Sequence, residues 1–551
     1  MIVYELSPCV NIQPSPNKDK INVVYQYFVH SNSLRQKEIE YCLQALLKNQ
    51  HIDKIYLLNE KEYTETELGL SHFENKELIN EKIVQKIIGH RLKYKDFFDF
   101  VDEIQGYCIL INSDIFLDES VSNLFVSDLS ICKSAFSQLR FEYLGNLDTK
   151  NCKIFGPRPD SQDTWIIHSN FNIPKKQRKA FDFHLGKPGC DNKIIYLFRI
   201  LGYKVYNSPS FVKTYHYHTS QVRNYDSKDL IAQPYVYLFP NEYFGSASKG
   251  RMYDFSDNDK LYDYIEKKLS NNEHFVIPRL SSVENNYAVF ARDYKENENN
   301  PAVKSFFDSY FQQTKHIMKN NAGIKLSDIS SCVKYSDLYL SAFDKCDLYG
   351  DWEPHGAYYA CIRDSHAWMS AMYANKGPIW SYNFDIFHFI YTRPWTTAMK
   401  GKRILLITPF IDSITEKINI REKIYDGVDL FPDCSFVFLK PPQTHANNDS
   451  REFYVELEEF LQKLENIKDT FDIAFVSAGG YGNLICSAIY DMGRSAIYGG
   501  GTLQMFFGVL GQRWLKERPD VLKIFMNSHW SRPKESEKPK DCKNIEGGCY
   551  W

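Results

Sequence analysis

Residues 107–120 read YCILINSDIFLDES. The apolar run from Cys108 to Ile111 leads directly into Asn112-Ser113-Asp114, after which apolar residues resume. A short apolar run that stops abruptly at polar residues is typical of a buried strand. The acid at its end either closes a turn, which Asn and Asp favour, or presents a carboxylate to a ligand. Taken alone, the stretch favours the turn.

The neighbouring segments alternate between strand and helix patterns. Strands are predicted for INVVYQYFV, IDKIYLLNE and YCILI, and helices for SLRQKEIEYCLQALLKN and RLKYKDFFDFVDE. Such alternation predicts an α/β fold with a mostly parallel sheet that helices cover on both faces. Ligands of these sheets bind beyond the carboxyl ends of the strands. Asn112 and Asp114 are therefore predicted to lie at such an end.

Length and composition predict more than one domain. A chain of 551 residues is too long for one ordinary core, and its 43% hydrophobic and 15% aromatic content favours packed domains over disorder. Residues 227–259 are rich in turn formers, and a second strand–helix series follows, beginning with a helix and a strand that ends at Arg279. We expect two α/β domains, 1–245 and 246–551.

Charge and targeting signals narrow the class of protein. A net charge of −3 gives no electrostatic reason to expect nucleic acid as a partner. The apolar runs fall far short of the ~20 residues that span a bilayer, so no transmembrane segment is expected. The first residues lack the features of a signal peptide, and the thirteen scattered cysteines show no zinc spacing. A reduced, cytoplasmic location is predicted.

Two further motifs of the first half carry residues that can do chemistry. GCDNKI follows a glycine-containing loop and opens an apolar helix, so Asp191 is expected at or near the helix N-cap. Capping alone would explain Asp191, and its functional interpretation is a general base. In VKTYHYHTS, His216 and His218 share one face because strand side chains alternate. Such a pair is more often structural than metal-binding, and both interpretations stay open.

Five more residues of the first half are candidates for substrate contacts. PDSQDTWIIHS contributes Gln162, Asp163 and Trp165, a polar pair with a Trp that suits a sugar ring. Asp163 is also the alternative general base if Asp191 is not the base. Arg35 and Arg91 are candidates for phosphate or nucleobase contacts, with a solvated helix face as the other interpretation.

INSDIFLD, SQDTWI, GCDNKI and VKTYHYHTS, in this order, resemble the motifs of the GT-A glycosyltransferase fold. More narrowly, they look like a glycosyltransferase-like family of large DNA viruses and bacteria, and the resemblance covers about 1–245. It implies that Asn112-Ser113-Asp114 stands for the Asp-x-Asp metal motif and Asp191 for the base. It also implies that His216 or His218 completes the metal site. Asn112 replaces the first Asp of the motif, which removes one negative charge from the site.

A second resemblance concerns FVIPRLSSVENNY in the second half. It looks like the opening of the GT-D glycosyltransferase fold, in which a strand leads into Arg-x-Gly-Asp-x-Glu. Arg279 and Glu284 match that pattern, whereas Ser281 and Ser282 replace its Gly and Asp. The long stretch FDIAFVSAGGYGNLICSAIYDMGRSAIYGGG is similar to the Rossmann-related part of the same family. The resemblance implies that Glu284 is catalytic and that Arg279 binds the donor.

Glycines and a polar–aromatic cluster complete the candidates of the second half. Gly479, Gly480 and Gly482 lie between a strand and a helix, where the backbone can approach a phosphate. The motif is not a complete GxGxxG, so tight packing turns are an equal alternative. CDLYGDWEPHGAYY forms either a sugar pocket or a loop packed on the sheet, and its candidate residues are Asp351, Trp352 and Glu353.

Together these motifs predict a nucleotide-sugar-dependent glycosyltransferase. Mn²⁺ or Mg²⁺, an arginine or a helix N-terminus would stabilise the departing nucleoside diphosphate, and a base such as Asp191 would deprotonate the acceptor hydroxyl. The expected partners are a nucleotide sugar and a glycan acceptor, and the expected product is a surface glycan or polysaccharide. Three alternatives stay open: both modules are active, one module only binds, or the chain is a non-catalytic glycan-binding scaffold.

Overall fold

The computed structural model describes residues 2–145, 148–220, 226–241, 255–352, 356–445, 448–539, 542–545 and 547–551. The chain divides into two compact units, Met1–Met252 and Tyr253–Trp551. Strands and helices occur in both, so the mixed α/β class predicted from the sequence is confirmed. Among the described residues, no helix is both long and apolar enough to cross a membrane.

The first unit has thirteen strands and four α-helices in its described residues. The strands are β1 (Ile2–Leu6), β2 (Ile21–Tyr25), β3 (Lys54–Asn59), β4 (Ile83–Ile87), β5 (Tyr107–Ile111), β6 (Ile115–Leu117), β7 (Ser134–Leu139), β8 (Phe141–Tyr143), β9 (Lys153–Ile154), β10 (Gln162–His168), β11 (Lys204–Tyr206), β12 (Thr214–Tyr217) and β13 (Tyr235–Phe239). The helices are α1 (Ser33–Lys48), α2 (Lys76–Lys82), α3 (Tyr94–Val101) and α4 (Cys190–Ile200).

The main sheet of this unit has seven strands in the order β11-β7-β10-β5-β2-β3-β4. The run β5-β2-β3-β4 is parallel, whereas β10 is antiparallel to both of its neighbours. After β4 the chain crosses back to the other side of β2 to form β5. The direction of winding therefore reverses between β2 and β5, and ligands of open α/β sheets bind at such a switch point.

The residues that open the sequence analysis lie at this switch point. All five residues of β5 are buried, and Asn112 and Asp114 follow it directly. On the opposite side of the switch point, α1 begins after Asn32, whose side chain accepts the N–H groups of Leu34 and Arg35. This N-cap fixes the start of α1 and places Arg35 in its first turn.

A smaller sheet in the order β6-β12-β8-β9 carries the two histidines. Strand β12 lies between β6, to which it is antiparallel, and β8, to which it is parallel. The register pairs His216 with Ile115 of β6 and with Glu142 of β8. Because Ile115 is the neighbour of Asp114 in the chain, the same register brings His216 beside that carboxylate.

The second unit has seven strands and eleven α-helices in its described residues. The strands are β14 (Val276–Ile277), β15 (Leu348–Asp351), β16 (Gly377–Trp380), β17 (Arg403–Ile407), β18 (Ser435–Leu439), β19 (Ile473–Val476) and β20 (Ser495–Tyr498). The helices are α5 (Asp257–Ser270), α6 (Val283–Glu296), α7 (Pro301–Ile317), α8 (Ile329–Lys345), α9 (Gly356–Met372), α10 (Ile411–Ile418), α11 (Arg421–Ile424), α12 (Phe453–Glu465), α13 (Gly482–Asp491), α14 (Gln512–Glu517) and α15 (Pro519–Phe525).

The main sheet of the second unit is parallel throughout, in the order β14-β20-β19-β17-β18. From β17 the chain moves outward to β18 and then returns past β17 to β19, so β17 and β19 flank a second switch point. Strand β14 ends at Ile277, two residues earlier than predicted, because Pro278 has no N–H to continue the ladder. Arg279 follows and forms a single bridge with Gly350 of β15.

Candidate functional site

A cavity of about 740 Å³ opens at the switch point of the first unit. The loops after β2 and β5 line one part of it, and the glycine loop before α4 lines another. All ten candidate residues of the first half line this cavity, namely Arg35, Arg91, Asn112, Asp114, Gln162, Asp163, Trp165, Asp191, His216 and His218. The fold thus brings six separate segments of the chain to one place.

Asp114 is the most deeply embedded acid of this cavity. Its Oδ2 lies 2.5 Å from Nη2 of Arg35 and 3.2 Å from Nε2 of His216. Burial by itself would raise the pKa of Asp114, but His216 and Arg35 outweigh burial and hold that pKa well below its usual range. These long-range partners show that Asp114 is not merely the acid of a local turn.

Asp114, His216 and His218 could together hold a metal ion. One ligand atom from each residue lies within 4.8 Å of the other two, and they form the one group of this kind among the described residues. The donor set is one carboxylate and two imidazoles, which suits Mn²⁺ better than Mg²⁺ because Mg²⁺ prefers oxygen ligands. Asp114 and Glu142 raise the pKa of His216 to about 9 against the effect of burial, so a cation binding here would displace a proton.

Asn112 and Asp163 form a second cluster beside this group. The amide nitrogen of Asn112 donates to Asp163 at 2.7 Å, and Asp163 is also ion-paired with Arg140. The pairing of β10 with β7 shifts register between Gln162 and Thr164, so Asp163 sits at a bulge that turns its side chain. The structure shows Asn112 as a partner of Asp163, and its role as a metal ligand stays a prediction.

Asp191 lies in the first turn of α4. The loop before it uses a left-handed glycine, Gly189 at φ +80°, and a Cβ there would meet the hydroxyl of Tyr235 at 2.6 Å. The N-cap is Gly189, so capping does not account for the acid, whose carboxylate accepts the N–H of Asn192. Burial, and then the charge of Asp163, raise the pKa of Asp191 to about 7. A carboxyl with such a pKa can accept a proton near neutral pH.

The other candidates of the first half differ in how they face the cavity. Arg35 is buried and ion-paired, so its interpretation as part of a solvated helix face is wrong. Arg91 precedes α3, and its guanidinium donates to the carbonyl of Leu185. Trp165 is 1% exposed and packs edge-on against Tyr94, which leaves no ring face on which a sugar could stack. The burial disfavours stacking of a sugar on this ring, and the role of Trp165 in substrate binding stays a prediction.

Sequence reasoning missed three charged residues that support the metal group. Glu142 Oε2 lies 3.2 Å from Nδ1 of His216, and Arg140 Nε donates to Glu142 at 2.8 Å. Burial opposes ionisation of Glu142, yet His216 and Arg140 lower its pKa to about 2. Only the register of β8 with β12 reveals this contact, and no linear spacing signals it.

Glu38 is the third missed residue, and it forms hydrogen bonds with the loop after β12. It accepts hydrogen bonds from both the N–H and the hydroxyl of Thr219 and of Ser220, and it pairs with Arg35 at 3.1 Å. The i,i+3 spacing of Arg35 and Glu38 on a helix is the signal that could have found it.

A second cavity of about 500 Å³ lies in the second unit at its own switch point. Residues after β17, such as Phe410, and after β19, such as Gly479, line it. Of the candidates in the second half, it is lined by Arg279, Glu284, Trp352 and Gly479. Asp351, Gly480 and Gly482 are not among its lining residues, and Glu353 lies outside the described residues.

Arg279 is the central cation of the second cavity. Its backbone exchanges two hydrogen bonds with the side chain of Asn483, and its Nη1 donates to the carbonyl of Gly499 at 3.1 Å. The guanidinium lies over the ring of Trp352 at 4.9 Å. The indole N–H of Trp352 in turn donates to the carbonyl of Leu280. These contacts fix the arginine head at the edge of the sheet.

Packing explains two of the three glycines that were predicted to approach a phosphate. A Cβ at Gly480 would overlap Ile324, and a Cβ at Gly482 would overlap the ring of Tyr498. The alternative of tight packing turns therefore accounts for both. Asp351 is also structural in its contacts, because its Oδ1 lies 2.8 Å from Nε2 of His366 in the protein interior.

Further charged and aromatic residues of the second cavity were not predicted. Asp385 and Arg518 form a buried ion pair at 2.9 Å. Arg513 lies over the ring of Tyr550 at 5.1 Å. Most of these residues come from irregular segments or short helices, for which the sequence offers no periodic pattern.

Comparison with known proteins gives weak likenesses. No protein-family model and no curated protein matches the chain. Among solved structures, the mannosyltransferase PcManGT from Pyrobaculum calidifontis with GDP-Man and Mn²⁺ is 10% identical, with a TM-score of 0.26, over 39% of this chain and 61% of its own. GalNAc-T7 with UDP, GalNAc and Mn²⁺ is 10% identical, with a TM-score of 0.26, over 36% of this chain and 44% of its own.

A domain of unknown function 1792 is 12% identical, with a TM-score of 0.27, over 51% of this chain and 96% of its own. The chain thus spans less than two thirds of the mannosyltransferase and of GalNAc-T7. At TM-scores this low, the likenesses do not bear on the activity of this chain.

Replacing Glu142 tests the metal group. We expect Glu142→Gln to weaken Mn²⁺ binding by about 10- to 100-fold, because the carboxylate that orients His216 is lost. The affinity can be measured by titrating the protein with Mn²⁺ and following free Mn²⁺ by electron paramagnetic resonance. The matched control is Glu119→Gln, which removes a surface ion pair with His51. Equal affinities in both variants would contradict the assignment.

Replacing Gly482 tests the packing interpretation. Helix propensity favours alanine over glycine by about 1 kcal/mol, but the overlap with Tyr498 costs about 1–3 kcal/mol. We therefore expect Gly482→Ala to lower the melting temperature of the ligand-free protein. In a Tyr498→Leu background the same substitution should cost less, since its clash partner is gone. An unchanged melting temperature in the native background would refute the packing interpretation.

Proposed function

We propose that the chain is a nucleotide-sugar-dependent glycosyltransferase whose first unit is catalytic. One observation carries the proposal: a single cavity at the sheet switch point holds a metal-ligand group, Asp114 with His216 and His218, and a separate acid, Asp191, with a pKa of about 7. Transfer of a sugar needs these two elements, charge stabilisation for a diphosphate leaving group and a base for the acceptor.

The residues of the first cavity have different proposed roles in donor binding. A divalent cation held by Asp114, His216 and His218, Mn²⁺ by preference, would supply positive charge against the diphosphate of the donor. Arg91 lines the same cavity and offers a planar fork of N–H donors that matches phosphate oxygens. Arg35 is committed to Asp114 and Glu38, so it holds the carboxylate in place rather than contacting the donor directly.

Asp191 is the proposed general base. Its half-buried carboxyl lines the cavity and accepts the proton of the acceptor hydroxyl as that oxygen attacks the sugar. Asp163 is the weaker candidate, because Arg140 and Asn112 already engage its oxygens. A base that takes a proton and forms no bond to the sugar implies inversion at the anomeric centre.

We further propose that the two units form a two-module enzyme. The first unit is proposed as a GT-A-like module and the second as a GT-D-like module that adds a further sugar, with Glu284 as its catalytic residue and Arg279 at the donor. The acceptor is a glycan hydroxyl, and the product is a polysaccharide or surface glycan built in the cytoplasm. An enzyme with one active and one binding module is the alternative that Ser281 and Ser282 favour.

The pH dependence of transfer tests Asp191. Below pH of about 7 the carboxyl is protonated and cannot accept a proton, so initial rates should rise with pH and reach half of their maximum near pH 7. Asp191→Asn should keep donor binding and lower turnover by about 100-fold or more. Asp182→Asn, at a surface ion pair with Lys93, is the control. Unchanged turnover in Asp191→Asn would move the role of base to Asp163.

Removal of the metal tests the first cavity as a whole. Treatment with EDTA should abolish transfer by the first unit, and added Mn²⁺ should restore it more fully than Mg²⁺. His218→Gln should raise the Mn²⁺ concentration needed for half-maximal rate, because one of three ligands changes from imidazole to amide. Release of the nucleoside diphosphate from the sugar nucleotide measures the effect of EDTA, of added metal and of the His218→Gln substitution. Full activity in EDTA would overturn the metal-dependent form of the proposal.

A further inference from the structure

The described residues of the second cavity include no group of metal ligands like that of the first cavity. Among the described residues, the group of acids and histidines able to hold a metal ion lies in the first unit. In the second cavity, Ser281 and Ser282 stand where the GT-D resemblance expects Gly and a metal-binding Asp. A hydroxyl carries no charge and is a poor substitute for a carboxylate toward a divalent cation. The described residues therefore do not fit a cation here.

Asp385, one of the two buried acids that line this cavity, is already ion-paired within the protein. Asp385 is 5% exposed and Arg518 is 6% exposed, and they pair at 2.9 Å. Removing Arg518 from Asp385 to free the acid for a metal would leave a buried charge unpaired, which costs several kcal/mol. Asp385 is thus bound to its arginine and serves as a fixed part of the cavity wall.

Two arginines face the same cavity with aromatic rings beneath them. Arg279 lies over Trp352, and Arg513 lies over Tyr550. Stacking on a ring holds a guanidinium flat, so that its N–H groups point sideways, and this edge matches phosphate oxygens. Gly500 has φ +58°, and a Cβ there would lie 3.5 Å from Nη1 of Arg279. That distance is an ordinary contact, so it is the left-handed backbone that favours glycine at this position.

The position of the cavity points to the class of ligand. It lies beyond the carboxyl ends of β17 and β19, where open parallel sheets bind nucleotides. Its volume of about 500 Å³ is in the range of small-molecule sites, and Phe410, Tyr382 and Trp551 add aromatic surface to its lining. Glu284 and Glu517 also line it, and Arg513 Nε lies 3.9 Å from Oε1 of Glu517, so the cavity is not uniformly positive.

We propose that the cavity of the second unit binds a nucleoside diphosphate through Arg279 and Arg513 and needs no divalent cation to do so. The inference rests on the proposed function and adds that the two units differ in their cation requirement. The first cavity uses an acid and two histidines that require a metal between them and the phosphates. The second presents guanidinium groups that contact phosphate oxygens themselves.

The test is calorimetric titration of the full chain with ADP, CDP, GDP, UDP and dTDP, each in EDTA and each in Mn²⁺. We expect one equivalent of at least one of these nucleotides to bind in EDTA. Arg279→Gln should weaken that binding by about 10-fold or more, because hydrogen bonds to a charged group are lost. Binding that requires Mn²⁺ should be unchanged in the variant. The control is Arg292→Gln, which alters an exposed pair with Glu296 on α6.

Arg513→Gln is the second test variant, in case Arg279→Gln does not fold, because Arg513 is partly exposed. This substitution should also weaken nucleotide binding in EDTA. Circular dichroism identifies a variant that has not folded. Binding that occurs only with Mn²⁺ would overturn this inference and leave the proposed function intact. Binding in EDTA that neither arginine variant weakens would also overturn it. Absence of binding to every nucleotide under both conditions would overturn the inference and the proposed function together.

Discussion

The first unit depends on the placement of one buried carboxylate. Asp114 is 6% exposed, and burying an isolated carboxylate costs several kcal/mol unless opposite charge accompanies it. Arg35 comes from α1 and His216 from β12, so satisfying this one charge requires the main sheet, a helix and the smaller sheet to meet. The cavity is the space left where these three elements converge.

From that carboxylate the charges continue in alternating sign. His216 lies between Asp114 and Glu142, Arg140 lies between Glu142 and Asp163, and Asn112 holds Asp163 from the other side. The partners come from four stretches of the chain, 112–114, 140–142, 163 and 216, so the network joins segments that are distant in the sequence. The same chain of contacts links the metal-ligand group to Asp163, the acid whose charge helps to raise the pKa of Asp191.

Features that depend on a local sequence pattern could be predicted, whereas contacts that depend on the register between distant strands could not. The burial of β5 and its end just before Asn112 follow from a continuous apolar run, and the shared face of His216 and His218 follows from the alternation of strand side chains; these were predicted. The contact of Glu142 with His216 depends on how β8 pairs with β12, two strands about seventy residues apart, and spacing carries no trace of it. Gly480 and Gly482 look like a phosphate loop in one dimension, yet Ile324 and Tyr498 fill the space in front of them.

In helix α1 the number of residues between Arg35 and Glu38 is constrained, and not only their identity. Arg35 and Glu38 stand about one turn apart, and one of them holds Asp114 while the other holds the backbone of Thr219 and Ser220. One inserted residue between them would rotate Glu38 by about 100° and break the second attachment even with every side chain kept. Across related chains, this helix should therefore tolerate exchanges at exposed positions such as Lys37 far better than any change in length between these two residues.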